Sequence, residues 1–350
     1  MTDPAEADRG RVKCVVWDLD NTLWDGVLLE PEPVVLREPV VELIRSLDQV
    51  GILHSVASKN EYDLSMAKLA EFGVQELFLA PQISWVPKSQ SVATVARELN
   101  IGIDSLAFVD DQPFELAEVA HHHPEVLCVD ADRILAAAHG PAFRPRFVTD
   151  ESRRRRLMYR SSARRAGAEQ EFTGASEDFL RTLDLRMTIT PAAEEDLRRA
   201  EELTVRTNQM NSTGRTYSYE ELDRMRRSSD HLVLIASLTD RFGSYGKIGL
   251  AVVETGAAHW HLRLLLVSCR VVSRGVGTVL LNQLHDLARQ AGAPLRADLV
   301  ETGRNRMMRI AYAFAGFREL AADGANVVLE ADPDTVQASP SYMDVQVTRL

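Results

Sequence analysis

From residue 11 onward, short apolar runs alternate with segments of helical period. The runs 12–18 (VKCVVWD), 52–58 (ILHSVAS), 105–111 (SLAFVDD) and 125–131 (EVLCVDA) are too short and too continuous to be surface helices and read as strands. Between them, 38–51 and 61–74 carry apolar residues at helical spacing, and 89–100 sets Val92, Val95, Ala96 and Leu99 on one helical face. Strands alternating with helices of this length predict a parallel sheet covered on both faces. Ligands of such sheets gather at the carboxyl ends of the strands.

The pattern changes at residues 151–185. ESRRRRLMYRSSARRAG is strongly basic, the following AEQEFTGASEDFLRTL is more acidic, and both read as helical. The Arg153 to Arg156 run reads as a solvated face of a connector helix, since no aromatic residues are interleaved as a nucleic-acid surface would need. From 186 the chain reads differently again. LRMTIT and a helix are followed by the β-rich runs 231–240, 246–255 and 259–268, with turns at RFGSYG and TGAA that suggest an antiparallel meander. An amphipathic helix ending at Gly292 has Val279, Leu280, Leu284 and Leu287 on its buried stripe, and LRADLV and ANVVLEAD supply later strands. The expected organisation is a polar tail over 1–10, an α/β domain over 11–150, a connector over 151–185 and an α+β domain over 186–350.

Composition narrows the classes of function. The chain has 350 residues, 51 acidic against 40 basic, and a formal charge of −11, which opposes bulk nucleic-acid binding. No uncharged apolar stretch is long enough for a membrane span, and the acidic opening MTDPAEADRGRVKC is unlike a signal peptide, so a cytoplasmic protein is expected. The three cysteines, Cys14, Cys128 and Cys269, do not make a disulfide framework. The oligomeric state is left open.

The densest chemistry lies in VVWDLDNTLWDG. An apolar strand runs into Asp18 and Asp20, whose side chains share one side while the chain stays extended. Two carboxylates this close repel unless a cation or proton lies between them, and magnesium satisfies both them and a phosphate. One Asp can then attack phosphorus while the other handles the leaving-group proton. Ser58 closes the second strand and can hydrogen-bond a phosphoryl group. Lys88, just before a helix, can neutralise phosphate charge, and Asp110 and Asp111 end a further strand where one can ligate metal.

These four elements, DLDNTLW, Ser58, Lys88 and VDD, resemble the motifs of the haloacid dehalogenase-like (HAD-like) phosphatases over roughly residues 12–130. The resemblance implies a Rossmannoid fold, Asp18 as nucleophile, Asp20 as general acid and base, and Ser58 and Lys88 as phosphate ligands. Magnesium would be held by Asp18, Asp20 and Asp110 with Asp111 in support. No large cap insertion separates Asp20 from Ser58 or Ser58 from Lys88, so the site is expected to be open.

In the second domain three polar clusters stand out: VRTNQMNSTGRTYS, DRFGSYGKIG and SCRVVSRGVG. Asn208, Gln209 and Asn211 can bind a ligand or simply form Asx turns, and RFGSYG can position a ligand or be only a hairpin turn. Along 259–269, strict alternation puts Trp260, Leu262, Leu264 and Leu266 on one face and His261, Arg263, Leu265, Val267 and Cys269 on the other. His261 and Cys269 are then roughly 26 Å apart and cannot pair. Arg270 and Arg274 add positive charge near the thiol, and Gly275 and Gly277 open a helix whose first N–H groups favour anions. The residues alone leave a reactive Cys269 and an inert buried one equally open.

The order of these clusters after DLDNTLW is similar to the FkbH-like glyceryltransferase/phosphatase family over nearly the whole chain. That resemblance implies a HAD-like phosphatase domain followed by a GNAT-like acyltransferase domain. It further implies transfer of a phosphoglyceryl unit from D-1,3-bisphosphoglycerate through a Cys269 thioester, dephosphorylation, and delivery to an acyl carrier protein in polyketide-type biosynthesis. The carrier would supply phosphopantetheine, with no nucleotide cofactor. Asn208, Gln209, Asn211, Arg241, Arg270, Arg274, Gly275 and Gly277 become candidate acyl or pantetheine contacts. Ser273, Gly277 and Ser244 stand where the family often has Gly, Glu and Asp, so a different acyl group is an alternative. So is a small-molecule phosphatase whose second domain selects substrate. A plain acetyl-CoA loop is disfavoured by Val272, three residues before the first glycine.

Overall fold

The computed structural model describes residues 10–207, 209–303, 305–335 and 339–348. The polar tail expected over 1–10 and the candidate contact Asn208 therefore lie outside the described residues, apart from Gly10. The chain forms two compact units, Met1–Ala163 and Arg164–Leu350, and their boundary falls inside the helix Arg155–Glu171.

In the first unit, strands β1 (Cys14–Trp17), β4 (Leu53–Ser58), β5 (Gln82–Ile83), β6 (Leu106–Asp110) and β7 (Leu127–Asp130) form one parallel sheet in the order β5-β4-β1-β6-β7. Alternate residues of the central strands feed two different cores. Val15, Trp17, Val56, Ala107 and Val109 meet Val40, Val41, Ile44 and Leu47 of helix Glu38–Gln49. Cys14, Val16, Leu53, Ala57, Leu106 and Phe108 meet Val92, Val95 and Ala96 of helix Lys88–Glu98. Both faces are covered, and this is why β1, β4 and β6 read as unbroken apolar runs rather than alternating ones. The Rossmannoid α/β class expected of this half is the one observed. A small hairpin of β2 (Trp24–Asp25) and β3 (Val35–Leu36) follows β1.

Arg155 and Arg156 are not solvated as their charge pattern suggested. Arg155 donates to the Gly51 carbonyl at 2.6 Å, and Arg156 donates to Asp48 Oδ1 at 3.0 Å and the Glu76 carbonyl at 2.7 Å. The basic run is thereby fastened to the first unit, where Gly51 adopts a left-handed φ of 85° close to the Ser152 carbonyl.

The second unit is α+β, as expected. Its sheet has the order β13-β14-β12-β11-β10-β9-β8-β15, with β8 (Leu185–Pro191), β9 (His231–Asp240), β10 (Gly243–Thr255), β11 (Trp260–Val267), β12 (Leu295–Val300), β13 (Phe317–Asp323), β14 (Asn326–Ala331) and β15 (Met343–Val347). The β9–β10–β11 meander is antiparallel, whereas β11 and β12 are parallel and pair only over Trp260–Leu262 and Leu295–Ala297. Beyond that point the segment Met210–Ser212 occupies the free edge of β11. Ser212 N donates to the Leu265 carbonyl at 2.9 Å, Leu265 N donates to Ser212 Oγ at 3.0 Å, and Val267 N donates to the Met210 carbonyl at 2.8 Å. The Ser212 carbonyl also accepts from Val300 N of β12 at 2.9 Å, so one residue bridges the two diverging strands.

Strict alternation fails in β11. Its register with β10 runs from Val252↔Leu264 to Val253↔Leu262, which leaves Arg263 as an extra residue in a bulge. Leu264 and Leu266 enter one core, but Leu262 joins Leu265 and Val267 in the other. The face assignment by simple parity is thus correct only after the bulge. Helix Arg155–Glu171 meets this unit through Arg165, whose guanidinium donates to both oxygens of the buried Asp240 at 2.6 and 3.0 Å.

Candidate active site

Parallel register brings the carboxyl ends of β1, β4 and β6 to one edge of the first sheet: Trp17 lies opposite both Val56 and Val109, and Ser58 opposite Ile83. Asp18, Ser58 and Asp110 are all buried there, with Asp111 partly so. Lys88, the first residue of its helix, reaches under the same edge. Its ammonium contacts Asp18 Oδ1, donates to Asp110 Oδ2 at 3.0 Å and donates to the Ala57 carbonyl at 2.7 Å. Sequence reasoning placed these groups at strand ends, and the structure brings Asp18, Lys88, Asp110 and Asp111 together.

The electrostatics are those of crowded carboxylates around one cation. Burial raises the Asp110 carboxyl, Lys88 opposes that rise and Asp18 reinforces it; burial and then Asp18 raise Asp111 in the same way. Burial works against the charge of Lys88, but Asp18 and Asp110 outweigh it and hold its proton more firmly than usual. Carboxylate oxygens of Asp18, Asp110 and Asp111 lie within 4.8 Å of one another, and Asp111 Oδ1 is buried without a hydrogen-bond partner. An all-oxygen donor set with excess negative charge and an orphaned oxygen fits a hard divalent cation such as Mg²⁺.

Asp20 sits differently from the expectation that its carboxylate joins the metal cluster. The strand ends at Trp17 and the chain curls, with the Leu19 carbonyl accepting from three following N–H groups and Asn21 in a left-handed φ of 53°. The group of close carboxylates comprises Asp18, Asp110 and Asp111 without Asp20. Asp20 Oδ1 accepts from Trp24 Nε1 at 2.7 Å and Leu28 N at 3.0 Å, and its Oδ2 accepts from Asn60 Nδ2 at 3.0 Å. Burial raises its carboxyl while the Trp24 and Leu28 bonds hold it down. Trp24 and the buried Asn60 were not anticipated. The one signal for Asn60 was its place two residues after Ser58, in the turn that leaves the strand.

In the second unit the three polar clusters converge at the carboxyl end of β11. Met210 pairs with Val267, Ser268 N donates to the Ile248 carbonyl at 2.7 Å, and Arg270 donates to the Tyr245 carbonyl at 3.1 Å. Cys269 is not on the strand; it opens the 3₁₀ turn Cys269–Arg274 and is partly exposed. Several candidate contacts serve the fold instead. Asn211 Oδ1 accepts from Thr213 and Gly214 N, which is the Asx-turn alternative. Arg274 turns inward, buried, and donates to Glu169 at 3.0 Å. Gly275 takes a left-handed φ of 79° beneath the Tyr342 hydroxyl, whereas Gly277 has room for a side chain. Arg241 lies exposed against the Phe242 ring, Gln209 is exposed, and RFGSYG is a hairpin whose Asp240 carboxylate accepts from Phe242 N, Gly243 N and the Tyr245 hydroxyl. His261 bonds Asp298 at 2.6 Å, on the far part of β11 from Cys269.

No helix among the described residues is long and apolar enough to cross a membrane. No protein-family model and no curated protein matches the chain. Among solved structures, it is similar to the N-terminal part of a Bacteroides fragilis protein containing a phosphatase domain complexed with Mg, at 28% identity and a TM-score of 0.30. That match covers 36% of this chain and 37% of the other, so the chain spans little more than a third of that relative. It is also similar to the PaiA N-acetyltransferase of Thermoplasma acidophilum in complex with coenzyme A (19% identity, TM-score 0.32, 41% of this chain and 98% of the other). A third likeness is to the spermidine N-acetyltransferase of Vibrio cholerae in complex with CoA and spermine (17% identity, TM-score 0.32, 41% and 92%). The fold class of each unit rests on the strand order and register given above: a Rossmannoid parallel sheet joined in one chain to an α+β unit.

Proposed function

We propose that the chain is a cytoplasmic, Mg²⁺-dependent phosphatase and acyltransferase that loads a glyceryl unit onto an acyl carrier protein. The observation that carries the reading is the Lys88 ammonium set between Asp18 and Asp110, with Asp111 beside them, at the carboxyl ends of the strands of a parallel sheet. Asp18 is the nucleophile: its free oxygen bonds to phosphorus as the bond to the leaving oxygen breaks. Asp20, with its carboxyl raised by burial, gives that oxygen a proton and then takes one from the water that cleaves the aspartyl phosphate. Lys88 and Ser58 hold the phosphoryl oxygens. Asp18, Asp110 and Asp111 would hold the cation, which supplies charge neutralisation at phosphate.

The second unit performs acyl transfer on this reading. The Cys269 thiolate attacks the acyl-phosphate carbonyl of D-1,3-bisphosphoglycerate, inorganic phosphate leaves, and a thioester forms. The remaining phosphate ester is hydrolysed at Asp18, and the carrier's phosphopantetheine thiol takes the glyceryl group while Cys269 is restored. Arg241 and Gln209 are the candidate contacts whose residues are exposed. Intact-mass analysis with bisphosphoglycerate, Mg²⁺ and holo-carrier tests the sequence. Asp18→Asn should accumulate a phosphoglyceryl adduct, and Cys269→Ser should form none. Absence of any adduct on wild-type enzyme and carrier would defeat the acyl-transfer half. The inward turn of Arg274 and the Asx turn at Asn211 favour a second reading, a phosphatase whose other unit only selects substrate. Normal phosphatase turnover by Cys269→Ala, with no transfer by wild type, would establish that reading instead.

A further inference from the structure

Lys88 opens its helix, and the start of that helix has no cap of its own. Pro87, the residue before it, offers no side-chain acceptor, and the first turn holds no acidic residue. The opening N–H groups of a helix then need partners from elsewhere in the fold. Here they come from helix Pro113–His122, which leaves the strand end at Asp110 and Asp111. Glu118 Oε2 accepts from Ser89 N at 2.9 Å, and Glu118 Oε1 accepts from Ser89 Oγ. His123, directly after the same helix, donates through Nε2 to the Ser89 carbonyl at 3.2 Å. The N–H, hydroxyl and carbonyl of the buried Ser89 are thus all engaged by one neighbouring segment.

This clamp sits one residue from the lysine of the candidate site. The Lys88 ammonium contacts Asp18, and it donates to Asp110 Oδ2 at 3.0 Å and to the Ala57 carbonyl at 2.7 Å. A lysine is a point charge on a flexible four-carbon stem, so the place of its ammonium depends on where its backbone is held. Asp110 ends the strand that leads into the helix of Glu118. The bonds from Glu118 to Ser89 therefore tie together the two segments that supply Lys88 and Asp110. The Glu118 carboxylate also meets the favourable, positive end of the lysine helix.

We propose that Glu118 is a positioning residue for the phosphatase reaction, holding the Lys88 ammonium against Asp18 and Asp110 through its two bonds to Ser89. A carboxylate that only capped the helix would act on stability alone. One that acts through Lys88 affects turnover while Lys88 is present and loses that effect when Lys88 is gone.

The inference rests on the phosphatase reading of Asp18. The test follows Mg²⁺-dependent phosphate release by the full chain from a phosphoglyceryl thioester of N-acetylcysteamine, a small stand-in for the Cys269 thioester. Glu118→Ala should lower kcat roughly tenfold, with KM changed less than about threefold. Glu118→Gln keeps an acceptor for the Ser89 N–H and should stay within about threefold of wild type. Ser89→Ala removes one of the two bonds and should give an intermediate loss, which keeps the comparison open if Glu118→Ala does not fold. In a Lys88→Met background, Glu118→Ala should lower kcat no further. Wild-type kcat in Glu118→Ala, a glutamine variant as slow as the alanine one, or the same fractional loss without Lys88 would each overturn the role. An inactive Asp18→Asn beside a fully active Glu118→Ala would overturn the role alone. Undiminished turnover by Asp18→Asn, or none by wild type, would overturn the phosphatase reading and the role with it.

Discussion

Lys88 concentrates the chemistry of the first unit in one side chain. It is buried, and it compensates two buried carboxylates at once. Removing one partner of such a group leaves the others uncompensated, at a cost of about 3–5 kcal/mol. Lys88→Met should therefore lower stability by that order in denaturant titration and reduce the kcat of the proposed phosphatase reaction roughly 100-fold or more; a variant with wild-type stability would show that the ammonium is not what balances Asp18 and Asp110. A second residue-scale prediction concerns His54, which is buried and accepts a hydrogen bond from Trp17 Nε1 at 3.1 Å. Burial pushes its pKa from 6.5 down to about 3. The unfolded chain therefore binds the proton more readily, so the stability His54 contributes is complete above pH 6.5 and is lost as pH falls toward 3. The slope is about 1.4 kcal/mol per pH unit at most. A His54→Gln variant should show a flatter fall in Tm between pH 7 and 5 than wild type. Asp18, Ser58, Lys88, Asp110 and Asp111 were all legible because each follows an apolar run. Asn60 and Trp24 were not, because their roles depend on how the chain curls after the strand.

Elements were legible where periodicity is unbroken, as in the parallel strands and the helices that cover them. β11 was legible as a strand but not in its facing, since one extra residue at Arg263 swaps the sides of everything before it. The bulge has no mark in the alternation of HLRLLLV. The Met210–Ser212 segment was invisible for a related reason: a three-residue stretch pairing with a distant strand has no period of its own. Ser212 gives this element its test. Ser212→Ala removes the acceptor of the buried Leu265 N–H, which should cost about 1–3 kcal/mol. Hydrogen exchange at Leu265 should quicken in that variant, and unchanged protection would mean the segment is held by its backbone alone.

At the scale of the whole molecule, the change of period near residue 186 revealed two kinds of architecture, but not a boundary inside the helix Arg155–Glu171. The basic run conceals that boundary because its arginines make specific bonds that charge pattern does not encode. If Mg²⁺ binds at the Asp cluster as proposed, the two units should respond to it unevenly. At a hundredfold excess over Kd, the ion should stabilise the first unit by about 2.7 kcal/mol and leave the second unchanged. Differential scanning calorimetry with and without chelator should show one component moving and one still; two components moving together would indicate that the cation is not confined to the Asp cluster. The second unit raises a separate matter of solubility. Where β11 and β12 part, each would present a bare hydrogen-bonding edge, and such edges recruit strands from other copies. Ser212 occupies both at once, and a cut within 209–214 should leave a chain that adds strands and precipitates at concentrations where the intact chain does not, as light scattering would record.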